Sequence, residues 1–132
     1  MVCIYCDGPT KISNSRKTSK GLRTWRRRVC QDCQAQWTTL EAVDFESAYR
    51  VKKTSGQLES FSWAIFFSSI YEACKHRKSA AIDAMELSQT ILNKLQLSQQ
   101  AVWPTSKLKA VTEQTLMFYD KTAAAVYSAL NK

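Results

Sequence analysis

Between Pro9 and Val43 apolar residues come singly or in twos among polar ones, whereas from Phe61 onward they recur at three- and four-residue spacing. The first pattern belongs to strands of a small sheet, and the second to helices packed on a shared core. Thr10–Ser13 reads as a short strand. The polar run from Asn14 to Gly21 holds nothing apolar to bury and reads as an exposed loop. Leu22–Val29 and Gln36–Val43, rich in β-favouring residues, read as two further strands. The pattern changes near Asp44 to Ser47, which places a boundary there and divides the chain into residues 1–45 and 46–132.

The second segment begins with a hairpin. Ala48–Lys53 and Leu58–Glu59 flank Thr54-Ser55-Gly56-Gln57, in which Gly56 supplies the positive φ of the turn. Ser62 is placed to cap a helix that buries Phe66, Phe67, Ile70 and Cys74 and ends in the cationic group Lys75-His76-Arg77-Lys78. Ser79 is placed to cap a second, with Ile82, Met85, Leu92 and Leu95 on one stripe and Ala84, Leu87 and Ile91 beside it. Gln99–Trp103 reads as irregular or extended. Pro104-Thr105 opens a third helix along Leu108, Val111, Thr115 and Leu116, and a fourth starts at Asp120. The residues alone thus give an α+β chain, a small sheet followed by a hairpin and a four-helix bundle.

Cysteine spacing adds chemistry to the first segment. Cys3-x-x-Cys6 and Cys30-x-x-Cys33 are two knuckles, each able to offer two thiolates to one face of a metal ion, and together they complete a tetrahedron of soft ligands. That donor set favours structural Zn²⁺; an iron site with the same four ligands is also compatible. Gly8-Pro9 supplies turn chemistry behind the first knuckle. With four sulfurs no coordination position remains for water or substrate, so the metal would serve folding. Two disulfides would need an oxidising compartment, and a redox dithiol would need a βαβ setting. Neither context is visible. Cys74 lies in a helical pattern and reads as a small buried hydrophobe, and His76 as a surface group near a helix end.

Charge is concentrated on the same segment. The chain carries +8, and residues 1–33 hold eight basic and two acidic side chains, net +6, against +2 for the rest. A polyanion is the natural partner, and double-stranded DNA the first candidate. Arg16, Lys17, Arg26, Arg27 and Arg28 are the expected phosphate contacts; Arg23, Arg26 and Arg28 need not share a face with Arg27, because strand side chains alternate. Trp25 and Trp37 read as packing groups or stacking platforms. Tyr71, Trp103, Phe118 and Tyr119 are candidates for a contact surface on the helical part, which would assemble a homo-oligomer. No apolar run approaches a membrane span, and nothing at the start resembles a signal peptide, so a cytoplasmic location is expected. No Gly-rich phosphate loop, carboxylate cluster or nucleophile with a base is present, so an enzyme is not expected.

Several strings taken together resemble the NrdR-type repressors of bacterial ribonucleotide reductase genes. They are Cys3-x-x-Cys6, Ser15-Arg16, the arginines before Cys30-x-x-Cys33, Trp37-Thr38-Thr39-Leu40-Glu41, Val51-x-Lys53-x-x-Gly56-x-x-Glu59-x-Phe61 and Ala73-Cys74-x-x-Arg77. The resemblance implies a three-stranded zinc ribbon followed by an ATP-cone domain, and a zinc-dependent repressor whose assembly responds to ATP or dATP. It carries nucleotide contacts onto Val51 and Lys53. Thr54 and Ser55 stand where that family usually has Arg and Asp, and Ile65 where it has Lys, which removes cationic donors from a triphosphate site. The other readings are a zinc-ribbon module binding RNA polymerase or single-stranded nucleic acid without a defined operator, and a cone that no longer takes nucleotide.

Overall fold

The computed structural model describes residues 1–18 and 23–132, in two compact units, Met1–Asp44 and Phe45–Lys132. In the first unit three antiparallel strands, β1 (Thr10–Lys17), β2 (Arg23–Cys30) and β3 (Gln36–Ala42), form one sheet in the order β1-β2-β3. Arg16 pairs with Trp25 and Trp25 with Leu40, which fixes the register across all three. The expected loop from Asn14 is instead strand as far as Lys17: after a bulge between Ile12 and Asn14 its backbone continues to pair with β2. Its side chains need no apolar neighbour, because β1 is solvent-exposed almost throughout and is held by backbone pairing with hydrogen bonds from Ser13 to Arg27 O and from Arg26 to Ser15. The rest of that expected loop, Ser19–Gly21, and Leu22, the first residue of the expected second strand, lie outside the described residues.

The second unit opens with a short helix α1 (Phe45–Ala48) that the pattern did not reveal, being a single turn. Strands β4 (Arg50–Lys52) and β5 (Leu58–Ser60) form the expected hairpin, with Gly56 at φ 89° in its turn. The extended piece before Pro104 becomes a third strand, β6 (Val102–Pro104), parallel to β4 with Val51 opposite Trp103. Four helices complete the unit: α2 (Trp63–Cys74), α3 (Ala80–Gln96), α4 (Thr105–Tyr119) and α5 (Lys121–Leu130). None of them is long and apolar enough to cross a membrane.

Helix starts follow local chemistry. The Ser62 hydroxyl accepts the Ile65 amide at 3.4 Å, and the Asp120 carboxylate accepts the amides of Thr122 and Ala123 at 2.8 and 3.2 Å, so each satisfies donors the helix cannot. Ser79 precedes α3 but caps nothing; its hydroxyl donates to Asp83 instead. On α2 the buried set is Phe66, Ile70, Ala73 and Cys74, with Phe67 half-buried. On α3 it is Ala80, Ala84, Leu87, Ser88, Ile91, Leu92 and Leu95. The stripe is therefore rotated from the expected one, leaving Ile82 and Met85 exposed while Ala80 and Ala84 are enclosed in the core.

Trp103 is wholly buried rather than part of a surface: it stacks on Tyr49 at 4.1 Å and meets Phe61 edge-on at 5.8 Å. Phe45 stacks on Tyr49 in turn. The cationic end expected for α2 is also used differently. Arg77 donates to Asp83 and Asp120 at 2.8 and 3.0 Å and lies over the Tyr119 ring, while His76 meets Asp120 at 2.9 Å. The group thus joins α2 to α3, α4 and α5 instead of serving one helix dipole.

Candidate metal centre, basic sheet and nucleotide cavity

The sulfurs of Cys3, Cys6, Cys30 and Cys33 lie within 4.8 Å of one another. Cys3–Cys33 and Cys6–Cys30 stand at 3.6 and 3.5 Å. Two Zn–S bonds of about 2.3 Å at the tetrahedral angle separate sulfurs by about 3.8 Å, so the cluster has the dimensions of a zinc site and is far too open for disulfides.

The two knuckles repeat one backbone design. The Cys3 amide donates to Gly8 O and the Cys30 amide to Ala35 O, both at 2.9 Å, five residues on in each case. The residue after each second cysteine, Asp7 (φ 59°) and Gln34 (φ 60°), is left-handed, which turns the chain back beneath the sulfurs. Amides then point at sulfur, Tyr5 N to Cys3 Sγ and Cys33 N to Cys30 Sγ, each at 3.4 Å. Gly8 is not the left-handed position its type suggests. It lies close against Asp32 instead, since a Cβ there would stand 2.3 Å from the carboxylate oxygen and that side chain would have to shift.

These dipoles favour thiolate. The Cys33 amide draws the Cys30 thiol down to about 7. Cys6 is pushed up to about 12, the Gly8 backbone bond pulling it down while its sulfur neighbours and burial hold the proton. Four sulfurs this close cannot all ionise unaided, and a dication removes the conflict. The residues fit a zinc ion, which when bound cross-links the knuckles at the foot of the sheet.

Directly opposed residues share a sheet face, so the register sorts the basic side chains. Lys11, Arg16, Arg23 and Arg27 fall on one face together with Trp25, Leu40 and Gln36. Lys17, Arg26 and Arg28 fall on the other with Glu41 and Trp37. Arg23 therefore accompanies Arg27, against the expected grouping. Arg27 is exposed, and its guanidinium donates to a neutral partner, Gln36, at 3.2 Å. Arg26 is half-buried and ion-paired to Glu41 at 3.1 Å, and Arg28 is half-buried against Thr39. Trp37 packs edge-on against Tyr5 of the first knuckle, so that face is partly covered by the metal module, and no carboxylate is among the paired residues of the Arg27 face.

In the second unit a cavity of about 220 Å³ opens between the hairpin and the helices. Val51, Phe61, Ile65, Phe66 and Leu108 give its apolar walls, and Ser60, Ser62, Ser69, Thr105, Tyr127 and Asn131 its polar atoms. Of the two expected nucleotide contacts Val51 lines it and Lys53 does not. Lys53 is tied to Glu59 at 2.6 Å. The family resemblance carried a contact onto Val51, but Lys109, Tyr127 and Asn131 come from distant helices that no local signal links to it. Cys74 is buried, which pushes its thiol up and leaves it a packing group.

A sulfur-clustered ribbon with an arginine-bearing sheet, followed by a hairpin-and-helix domain with its own cavity, is the build of a zinc ribbon joined to an ATP-cone domain. Residues 1–41 match the NrdR-like transcriptional repressor N-terminal domain, and residues 49–132 match the ATP cone domain. The chain is 30% identical over 132 residues to the transcriptional repressor NrdR of Sphingopyxis alaskensis, covering 96% of this chain and 84% of that one. It is 30% identical over 134 residues to NrdR of Frankia casuarinae, covering 98% and 72%, and 28% identical over 131 residues to NrdR of Heliobacterium modesticaldum, covering 98% and 86%. The chain belongs to the NrdR family of transcriptional repressors, a family of regulators and not of enzymes.

Proposed function

We propose that this protein is a zinc-dependent repressor of ribonucleotide reductase genes that grips operator DNA with its basic sheet, and whose assembly is controlled by an adenine nucleotide, ATP or dATP. Cys3, Cys6, Cys30 and Cys33 hold Zn²⁺; Arg16, Lys17, Arg26, Arg27 and Arg28 contact the duplex. Arg16 and Arg27 lead among these, because they share an uncovered face with Lys11 while Arg26 is engaged by Glu41. The observation that carries the reading is this coupling: the sulfur cluster closes the end of the very sheet on which the positive charge stands.

A sheet this small offers too few base contacts for an operator on its own, so several copies act together on repeated half-sites. The helical domain aligns them, a role favoured by the exposed Ile82, Met85, Met117 and Phe118, the last 84% exposed. Val51 and, on release from Glu59, Lys53 contact the nucleotide. The protein works in the cytoplasm, where thiols stay reduced.

Titration of labelled promoter duplexes, against scrambled controls and with or without ATP or dATP, tests this. Promoter preference, nucleotide-dependent size and a steep fall of affinity with salt are expected, and Arg27→Ala lowers the log–log salt slope by about 1. Equal affinity for all sequences would leave a general nucleic-acid module instead.

A further inference from the structure

We propose that the face of the ribbon sheet centred on Trp25 binds unpaired DNA, the indole serving as the platform on which a base of a separated strand stacks. The proposed duplex grip needs only charge, so this is a second ligand for the same face.

Trp25 stands on the central strand, with Arg16 directly opposite on β1 and Leu40 directly opposite on β3. Along β2 the nearest residues on that face are Arg23 and Arg27. Three guanidiniums and one apolar side chain, Leu40, 56% exposed, thus frame the ring. Trp25 is half-buried, and among the described residues no other aromatic ring packs on it. It covers no core either, since the described residues of this unit bury no apolar side chain besides Cys3 and Cys30. Trp37 provides the contrast: it lies on the opposite face and packs edge-on against Tyr5 at 6.2 Å.

Width decides which form of DNA can use the ring. Neighbouring strands lie about 4.8 Å apart, so three span about 10 Å before side chains are added, whereas a major groove about 12 Å wide admits two strands or a helix. Laid on an intact duplex, the face meets phosphates with Lys11, Arg16 and Arg27, while Trp25 at its middle finds no base face, because every base is stacked within the helix. A separated strand turns its bases out. One can lie on the indole while the phosphates on either side meet the guanidiniums and a thymine methyl touches Leu40. No carboxylate among the paired residues of this face repels the backbone. A transcriptional repressor meets such a strand where its own promoter opens, so DNA rather than RNA is the partner.

Fluorescence anisotropy of labelled strands of about ten nucleotides, titrated with the full zinc-loaded chain, is the test. The probes are a mixed-sequence DNA strand, an abasic DNA strand of equal length and charge, the matching RNA and the promoter duplex. The DNA strand is expected to bind about tenfold tighter than the abasic one and at least as tightly as the RNA. Trp25→Ala, with zinc content unchanged, is expected to erase that margin while duplex affinity stays within about threefold; Trp25→Phe keeps most of it. Equal binding of the abasic strand, an unchanged margin in Trp25→Ala, or RNA binding about tenfold tighter than DNA overturns the inference. So does a parallel fall in duplex affinity, which would make Trp25 a support for the sheet. The abasic comparison uses the unaltered chain and decides the question even where Trp25→Ala fails to fold. Loss of promoter preference with the strand margin intact sinks only the repressor reading.

Discussion

Among the described residues of the first unit the only buried apolar side chains are Cys3 and Cys30, both members of the sulfur cluster; the second unit buries sixteen such residues in one continuous cluster. Among its described residues the ribbon has no hydrophobic core to fold around: β1 is exposed almost throughout, and the central strand β2 is half-buried with only Cys30 enclosed. The cone has an ordinary core, with Trp103, Ile70, Ile91, Leu92, Leu95 and Leu116 fully enclosed. One unit therefore depends on a bound ion and the other on apolar burial. Adjacent units of one chain can thus be undone separately.

The largest expected effect is metal removal. Structural zinc sites contribute an apparent ~10–16 kcal/mol in small modules, more than a domain's usual net stability. Chelation, or Cys30→Ser, should abolish amide protection across β1, β2 and β3 and abolish DNA binding, while protection in α2 and α3 persists. Hydrogen exchange read residue by residue checks this; loss of protection in both units together would break the comparison.

The converse comes next. Trp103→Ala removes a fully buried ring stacked on Tyr49 and should cost about 3–5 kcal/mol in the second unit, with zinc content and ribbon protection unchanged. Denaturant melts followed by the remaining tryptophans and by metal analysis would show it.

A smaller effect sharpens the contrast by pH. Asp120 is held well below the usual carboxylate range, first by His76 and then by the Ala123 amide and Arg77, and Asp83 is lowered first by Arg77. A depressed folded-state pKa gives stability that is full above the ordinary carboxylate value and is lost as pH falls through the lower one. The second unit should therefore weaken progressively below about pH 4, and Asp120→Asn should lower its melting temperature at neutral pH and flatten that acid dependence. Thermal melts between neutral and acid pH provide the check.

Much of this was legible beforehand where one kind of residue can do only one thing. Cysteine pairs three apart announced the cluster, Gly56 the hairpin turn, and Ser62 and Asp120 the helix starts. What stayed hidden depended on partners far along the chain. The polar run Asn14–Lys17 becomes strand only because β2 pairs with it, and Ile82 and Met85 face out while Ala80 and Ala84 are enclosed in the core. Alternation along β2 already separates Arg23 and Arg27 from Arg26 and Arg28; only the face of Arg16 needed the register and the bulge in β1. The cavity wall needed the return of α4 and α5 to the hairpin.

The parallel pairing of β6 with β4 has a consequence for the order of events in folding. A two-stranded hairpin alone is marginal in water, and this one acquires its third strand and the Trp103 ring only after α2 and α3 have intervened in the chain. Thr105 then ties to the carbonyl of Lys52 at 3.1 Å. Such distant closure is slow compared with forming the helices themselves. On a nascent chain Val51 therefore has no finished pocket to line until the helices on either side of Trp103 have docked.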